Sequence, residues 1–263
     1  MLFYCATISD WRNNMKTRQE IKSLAKAAIT SQRGASILIL LLVMLVTSLV
    51  VSVITFVSIF ATGFVIGAFA MVFIIFMPFI IIAVSVAVSI FTYTLQVNMY
   101  GSYLKIYEWD RVELSDPFTA LNVNFLRKAG GMFWMILWIF LWALLLYIPG
   151  IIKAFAYSMT PFILADCPDV TATQALKLSM RITEGHKGKL FVALLSFIGW
   201  AMLVPFTFGI LGIVYVGPYM YTTYAGFYAE LRDLAIAEGR ISKSDLYKGE
   251  FKGKSAVSLD KNN

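Results

Sequence analysis

The chain of 263 residues is strongly apolar: 59% of its residues are hydrophobic, 14% are charged, and the mean hydropathy is +0.76. Soluble domains are about 45–50% apolar and about 25% charged, so these values exclude a soluble enzyme, a disordered chain and a fibrous repeat. The composition predicts an integral membrane protein of the helical type. The net charge of +7 then indicates contacts with an anionic membrane surface, and not with nucleic acid.

The first 14 residues are predicted to be an N-terminal extension without fixed structure. They do not read as a signal peptide, because Asp10, Arg12 and Lys16 come before any long apolar run. Met15 is an alternative start site. The two cysteines, Cys5 and Cys167, have neither CxxC nor metal-site spacing, so we expect no disulfide framework.

Long stretches without charge define the predicted spans. Residues 34–104, 129–152, 154–165 and 190–229 contain no Asp, Glu, Lys or Arg, and one spanning helix needs about 20 residues. Turn signals at Thr62-Gly63, Pro149-Gly150 and Phe208-Gly209 divide these stretches. We expect one membrane domain over residues 15–232, with spans at about 35–60, 65–96, 131–149, 151–166, 190–208 and 211–230.

The charged residues predict the topology of these spans. All 15 acidic residues, and all but one of the 22 basic residues, lie in segments 1–34, 98–131, 166–189 and 230–263. By the positive-inside rule these segments are cytoplasmic, which gives three hairpins, both termini inside, and a basic cytoplasmic tail over 233–263. Span 151–166 reaches only about 24 Å, so a re-entrant helix is the alternative. That alternative would place the basic tail outside, and we therefore expect six spans.

Helix-start signals precede each predicted hairpin. Thr17-Arg-Gln-Glu20 and Thr171-Ala-Thr-Gln174 are capping boxes, and Ser115-Asp-Pro117 begins a stretch predicted to be helical up to Gly130. The predicted fold class is therefore an all-α membrane protein with six transmembrane helices as three hairpins, each preceded by a cytoplasmic amphipathic surface helix. The recurrence indicates either a pseudo-symmetric repeat or an ordinary succession of hairpins.

Polar side chains collect in the inner halves of the second, fourth and sixth spans: Tyr93, Gln96, Asn98, Tyr157, Thr160, Tyr221 and Thr222. One interpretation is an interfacial tyrosine belt with interhelical hydrogen bonds. The other is a polar, cytoplasm-facing pocket where the three helices converge. Gln96 and Asn98 point about 200° apart on a helix, and we expect Gln96 to face and hydrogen-bond Tyr157 or Tyr221.

Lys153 is the only charge within the apolar hairpins. It is interpreted as an anchor at the outer boundary, with an ammonium group that reaches the membrane interface, or as a ligand or partner contact. His186 has no further metal ligands at suitable spacing, and no GxSxG, HExxH or P-loop motif occurs. We expect no catalytic residue, no cofactor and no metal ion, and hence no enzyme.

Several segments resemble one known family. They are Phe140–Ser158 (FLWALLLYIPGIIKAFAYS), Thr160–Asp166 (TPFILAD), Glu184–Lys187 (EGHK), Leu195–Trp200 (LSFIGW) and Pro218–Tyr224 (PYMYTTY). Together, from about Met15 to Arg232, the chain resembles the bacterial integral membrane family called domain of unknown function 975. The resemblance implies a multi-pass protein of the bacterial cytoplasmic membrane, and it implies no particular activity, substrate or catalytic residue.

Two functions are consistent with this sequence. The first is a non-enzymatic scaffold or interaction partner in envelope physiology. The second is a transporter or channel component for a small or lipid-like molecule that uses the polar pocket. The expected partners are the bilayer, with anionic lipids at its cytoplasmic face, and other membrane proteins.

The topology can be tested with reporter fusions. Fusions after Arg127, His186 and Ser255 should all report a cytoplasmic location, because these residues lie in basic segments. Paired phosphatase and fluorescent reporters provide the measurement. An external location at His186 alone would mean that residues 151–166 are re-entrant.

Overall fold

The computed structural model describes residues 16–63, 70–119 and 124–247 of the chain. All regular secondary structure in these residues is helical, as the composition predicts. The N-terminal extension 1–14, residues 64–69 and the last part of the basic tail lie outside the described residues, and the chain is still helical at Thr62-Gly63, where the first turn was predicted.

Eleven α-helices are formed by the described residues: α1 Arg18–Ser31, α2 Arg33–Gly63, α3 Ala70–Tyr107, α4 Asp116–Thr119, α5 Phe125–Leu145, α6 Tyr147–Tyr157, α7 Thr160–Asp166, α8 Ala172–Ile182, α9 Lys187–Leu203, α10 Gly217–Ala237 and α11 Lys243–Leu246. A 3₁₀ turn at Pro205–Thr207 and a π-helical segment at Gly212–Val216 lie between α9 and α10.

Four helical stretches in the described residues are long and apolar enough to cross a membrane. They are Arg33–Ile59, Pro78–Tyr107, Phe125–Leu145 and Tyr147–Asp166. The fourth joins α6 and α7, and it has 20 residues because it begins before the predicted 151–166. These four helices support a membrane protein, since a spanning helix needs about 20 predominantly apolar residues.

The remaining two predicted spans are less regular. Helix α9 has 17 residues and ends just before Pro205. The chain then turns through Phe208 and Gly209, which have φ angles of 50° and 84°, at the predicted site. Helical residues continue without a break from 210 to 237, but the π segment interrupts their regular pattern. Pro218 favours the π-helical segment, because it has no N–H to donate to the carbonyl of Val214 as a regular α-helix would require.

The middle hairpin reverses three residues earlier than Pro149-Gly150 suggests. Leu146 is extended, with φ −155° and ψ 126°, and it separates α5 from α6. Pro149 is instead the third residue of α6, where a missing N–H costs no helical hydrogen bond. The two helices then pack closely at Gly150, since an added Cβ there would lie 2.7 Å from Cα of Ala143.

Two of the three predicted surface helices form with the expected capping boxes. The side chains of Thr17 and Thr171 cap α1 and α8, and Glu20 and Gln174 return the second hydrogen bond. The helix expected over 115–130 is not continuous. Among its described residues, Asp116–Thr119 form α4 and those from Phe125 onward belong to α5, and Asn124, left-handed with φ 52°, lies directly before α5. Asparagine tolerates this conformation better than most residues, so it breaks the helix there.

Helices α1 and α8, predicted to be surface helices, each bury one face against other helices of the protein. Ile21, Ala25 and Ala28 of α1 are fully buried, and α1 packs against α10 and α3. The buried face of α8 includes Ala175 and Ile182 and packs against α5, α7 and α6. Both helices therefore close one end of the bundle.

The molecule has two tiers that differ in packing. The inner tier consists of α1, α7, α8, α11 and the charged ends of α2, α3, α5 and α10, and its largest fully buried side chains are Tyr103, Phe162, Phe227 and Tyr228. The outer tier is the rest of the long apolar helices, where large apolar side chains such as Phe56 (68% exposed) and Leu144 (74% exposed) face outward. Helix α3 has 38 residues, about 57 Å, so it extends beyond a hydrocarbon core of about 30 Å.

The close contact at Gly150 generates a stability prediction. Gly150→Ala should lower the melting temperature, because the new methyl group meets the backbone of Ala143 and such overpacking costs about 1–3 kcal/mol. Gly130→Ala on α5 is the matched control, since nothing lies within 4 Å of its added Cβ. Thermal unfolding of the protein in detergent provides the measurement. Equal melting temperatures for the two variants would contradict this packing.

Candidate functional site

The seven residues predicted to form one polar pocket lie in two separate clefts and in the packed core. Gln96 and Tyr221 line one cleft, and Asn98 lines another. The remaining residues pack in the protein: Tyr93 is half-buried against the core, Tyr157 is buried, and Thr160 and Thr222 are fully buried. The opposite directions of Gln96 and Asn98 follow from their spacing on α3.

The first cleft, the Gln96 cleft, lies between α2, α3 and α10. It has a volume of about 260 Å³ and is lined by Leu40, Val43, Met44, Thr47, Gln96, Met99, Tyr100 and Tyr221. The Tyr221 ring stacks on Tyr103, with 5.2 Å between centroids, and meets the Tyr100 ring edge-on at 5.4 Å. Gln96 thus shares a cleft with Tyr221, as expected, but the hydrogen bond expected between the two does not form.

The second cleft, the Lys128 cleft, lies between α3, α4, α5 and α7. Its volume is about 210 Å³, and its charged lining residues are Lys105, Glu108, Asp116, Lys128 and Asp166. Lys105 forms an ion pair of 3.2 Å with Asp116. The cleft therefore carries both signs of charge at the inner tier.

A buried lysine contacts Asn98 in this cleft. Lys128 is only 5% exposed, and its Nζ donates to Oδ1 of Asn98 at 2.6 Å. The Asn98 amide in turn donates to the carbonyl of Pro117 at 2.8 Å, which ties α4 to α3. The sequence placed Lys128 in the cytoplasmic segment 98–131, within a predicted surface helix. In the structure it lies in the first turn of α5, directly before the charge-free stretch that begins at residue 129.

Arg127 joins the start of α5 to the end of α7. Its guanidinium group donates to three backbone carbonyls, those of Leu164 (2.8 Å), Cys167 (3.1 Å) and Val170 (2.6 Å). Carbonyls at the end of a helix have no partner within the helix, so Arg127 acts as a cap supplied from another helix.

Asp166, the last residue of α7, is the centre of a further network. Its Oδ2 accepts hydrogen bonds from the hydroxyls of Tyr228 (2.8 Å) and Tyr247 (2.7 Å) and from the guanidinium group of Arg232 (3.0 Å). Arg232 also approaches Glu108 at 3.7 Å. One carboxylate thereby links α7, α10 and the residue after α11, and through Arg232 the end of α3.

Burial next to the Asp166 network shifts the pKa values of two nearby groups, Glu108 and Cys167. Burial raises the pKa of Glu108 to about 7, against the opposing effect of Arg232, so this carboxyl is partly protonated near neutral pH. Burial also raises the pKa of the Cys167 thiol to about 12, and Asp166 adds to the rise. The thiol is therefore neutral at physiological pH and has the low reactivity of a structural cysteine.

Lys153, interpreted from the sequence as an outer-boundary anchor or as a ligand or partner contact, has three neighbours in the structure. Its ammonium group lies 5.1 Å from the centroid of the Trp142 ring and 5.9 Å from that of Tyr157. It also lies 4.0 Å from Sδ of Met180 in α8. Both cation–π contacts lie within the α5–α6 pair. The contact with Met180 is the one that reaches α8, a helix of the inner tier.

His186 lies at the turn before α9, where burial lowers its pKa. No group of three or more His, Cys, Asp or Glu side chains within the described part of the chain is arranged to hold a metal ion.

The four long apolar helices, joined at one end by the polar bonds of the inner tier, indicate a helical membrane protein. Residues 64–235 match the profile of a family described as "Protein of unknown function (DUF975)". The chain belongs to this family, as the resemblance of its segments suggested. The match extends over α3 to α9 and most of α10. Comparisons with curated proteins and with solved structures find no match.

Proposed function

We propose that the protein is a non-enzymatic scaffold or interaction partner of the bacterial cytoplasmic membrane, with six spans as three hairpins and both termini in the cytoplasm. The observation that carries this proposal is the inner tier. There, charged side chains join distant segments of the chain into one packed body at the end of the spanning helices.

The dimensions of the last hairpin support six spans. Helix α9 has 17 residues, about 26 Å, and the helical stretch 210–237 is longer than the hydrocarbon core. A charge-free turn separates the two. Large apolar side chains, among them Leu195, Met202 and Ile210, are exposed along this hairpin, as on a surface that faces lipid.

The bonds of the charged groups support a scaffold. Arg127 and Arg240 both donate to backbone carbonyls of other segments, and the Arg240 bonds reach Arg181 (2.7 Å) and Glu184 (3.1 Å). Asp166 and Arg232 bond each other. Such bonds to the backbone fix the position of a segment, which is the property that a scaffold requires.

The C-terminal segment suits a role in interaction. Ile241 and Leu246 are buried and Tyr247 is bonded to Asp166, so the chain is fixed to the inner tier up to this residue. The sequence that follows is basic, with Lys248, Lys252, Lys254 and Lys261. A basic tail that starts from a fixed point next to the membrane is suited to anionic lipids or to an acidic partner.

A specific observation favours the second candidate, a transporter or channel component. The Gln96 cleft brings together two of the residues predicted for a polar pocket, and it lies between three helices of the bundle. Small-molecule sites are typically clefts of this kind, mostly apolar with a few polar groups.

Complementation of a deletion strain separates the two functions. If the protein is a scaffold, Gln96→Leu, Tyr157→Phe and Tyr221→Phe should each restore growth fully under the condition where the deletion is impaired. A chain truncated after Tyr247 should fail, because it lacks the basic tail. Immunoblots of membranes control for equal protein level. Loss of rescue by Gln96→Leu together with full rescue by the truncated chain would reject the scaffold and favour transport.

A further inference from the structure

The Gln96 cleft has the composition of a site for an uncharged, partly polar ligand. Its lining residues carry no formal charge, and five of the eight are Leu, Val, Met or Thr side chains on α2 and α3. The hydroxyl of Thr47 already donates to the carbonyl of Val43 at 2.8 Å, so Thr47 adds mainly its methyl group. Polarity in the cleft therefore comes from Gln96 and the two tyrosines.

Gln96 is the amide among the three side chains that make this cleft polar. Within the part of the chain that the structure describes, its amide forms no hydrogen bond, and the side chain is half-buried. An unpaired amide in apolar surroundings is unfavourable. The amide offers both donors and an acceptor, so a ligand with a carbonyl or a hydroxyl group satisfies it.

The position of the cleft along the helices indicates where this ligand comes from. Gln96 precedes Lys105 by nine residues, about 14 Å of helix, and Tyr221 precedes Arg232 by eleven residues, about 17 Å. The cleft thus lies about one and a half to two helical turns deeper than the headgroup layer is thick, on the apolar side of the charged helix ends. Met44 is 46% exposed on its margin, so the cleft is open toward the outward, apolar face of α2.

We propose that the Gln96 cleft binds one glycerolipid of the inner leaflet. An ester carbonyl of the lipid accepts a hydrogen bond from the Gln96 amide, and the start of one acyl chain lies against Val43, Met44 and Tyr221. A bilayer lipid is the occupant that fits both the uncharged lining and the opening at Met44. The assignment to the inner leaflet rests on the orientation given in the proposed function, whereas binding of a lipid does not, because a scaffold and a transporter can each hold a lipid there.

Photolabelling of the full chain in nanodiscs tests this site. The probe is a phosphatidylglycerol with a diazirine near the carbonyl end of one acyl chain, diluted in unlabelled lipid. Labelling mapped by mass spectrometry should be concentrated at Val43, Met44 and Tyr221, well above the lipid-exposed residues Leu49 and Leu141, which report the surrounding bilayer. Labelling at the cleft no greater than at Leu49 and Leu141 would overturn the proposal.

Two variants and one control make the test specific. Gln96→Leu should reduce labelling of the cleft about threefold or more, the effect of losing an average hydrogen bond in a membrane. Met44→Trp, at an exposed position on the margin, should reduce it by obstructing entry even if Gln96→Leu impairs folding. Thr55→Val, on the exposed face of the same helix, should leave labelling unchanged. Unchanged labelling in both cleft variants would overturn the site.

An ether-linked probe with the same headgroup and diazirine tests the role of the ester. It lacks the carbonyl that accepts from Gln96, so its labelling of the cleft should fall to the level seen with Gln96→Leu. Equal labelling by the ether and ester probes would overturn the assignment of the ester to Gln96. Because labelling uses purified protein, a negative result here is distinct from the outcome of complementation.

Discussion

A carboxylate at the end of a spanning helix is costly to bury unless other groups bond to it. Asp166 has three such partners on one oxygen, Tyr228, Tyr247 and Arg232. Two of them lie in α10 and Tyr247 follows α11, and Arg232 extends the network to Glu108 at the end of α3. We infer that the packing of the inner tier around these groups depends on this carboxylate, because it joins α7 to α10 and to the segment that ends at Tyr247.

The difference in packing between the two tiers is explained by what surrounds each of them, lipid for the outer tier and water for the inner tier. In the outer tier, lipid is as apolar as the side chains, so the hydrophobic effect does not drive the hairpins together. The inner tier meets water, where burial of apolar surface is favourable. Large aromatic residues such as Tyr103, Phe162 and Phe227 are therefore buried at the inner end. Polar bonds like those of Arg127 and Asn98 then fix the segments relative to one another.

Local features of the fold could be predicted from the sequence. The capping boxes of α1 and α8, the turn at Phe208 and the apolar helices depend on residues close in the chain, so pattern alone indicates them. The early reversal at Leu146 was not predicted, because it depends on how α5 packs against α6. The break at Asn124 was not predicted either, because asparagine permits the left-handed conformation but does not require it.

The candidate sites were only partly predictable, for a different reason. The spacing of Gln96 and Asn98 implied opposite directions, but which helices each would meet depends on helix rotation in the bundle. Lys128 contacts a residue 30 positions earlier, and Tyr247 contacts one 81 positions earlier. Such contacts leave no local pattern, so a single sequence does not disclose the Asp166 network.

The most direct test of this account is hydrogen exchange of the full chain in nanodiscs, comparing Asp166→Asn with Asp169→Asn. Asp169 is exposed, so its substitution should change little. Asp166→Asn removes the carboxylate from a partly buried pair with Arg232, whose side chains are 20% and 11% exposed. It should therefore reduce protection together at the inner ends of α3, α7 and α10 and over residues 240–247. If Asp166→Asn leaves protection unchanged, or loosens only residues 240–247, the inner tier does not depend on Asp166.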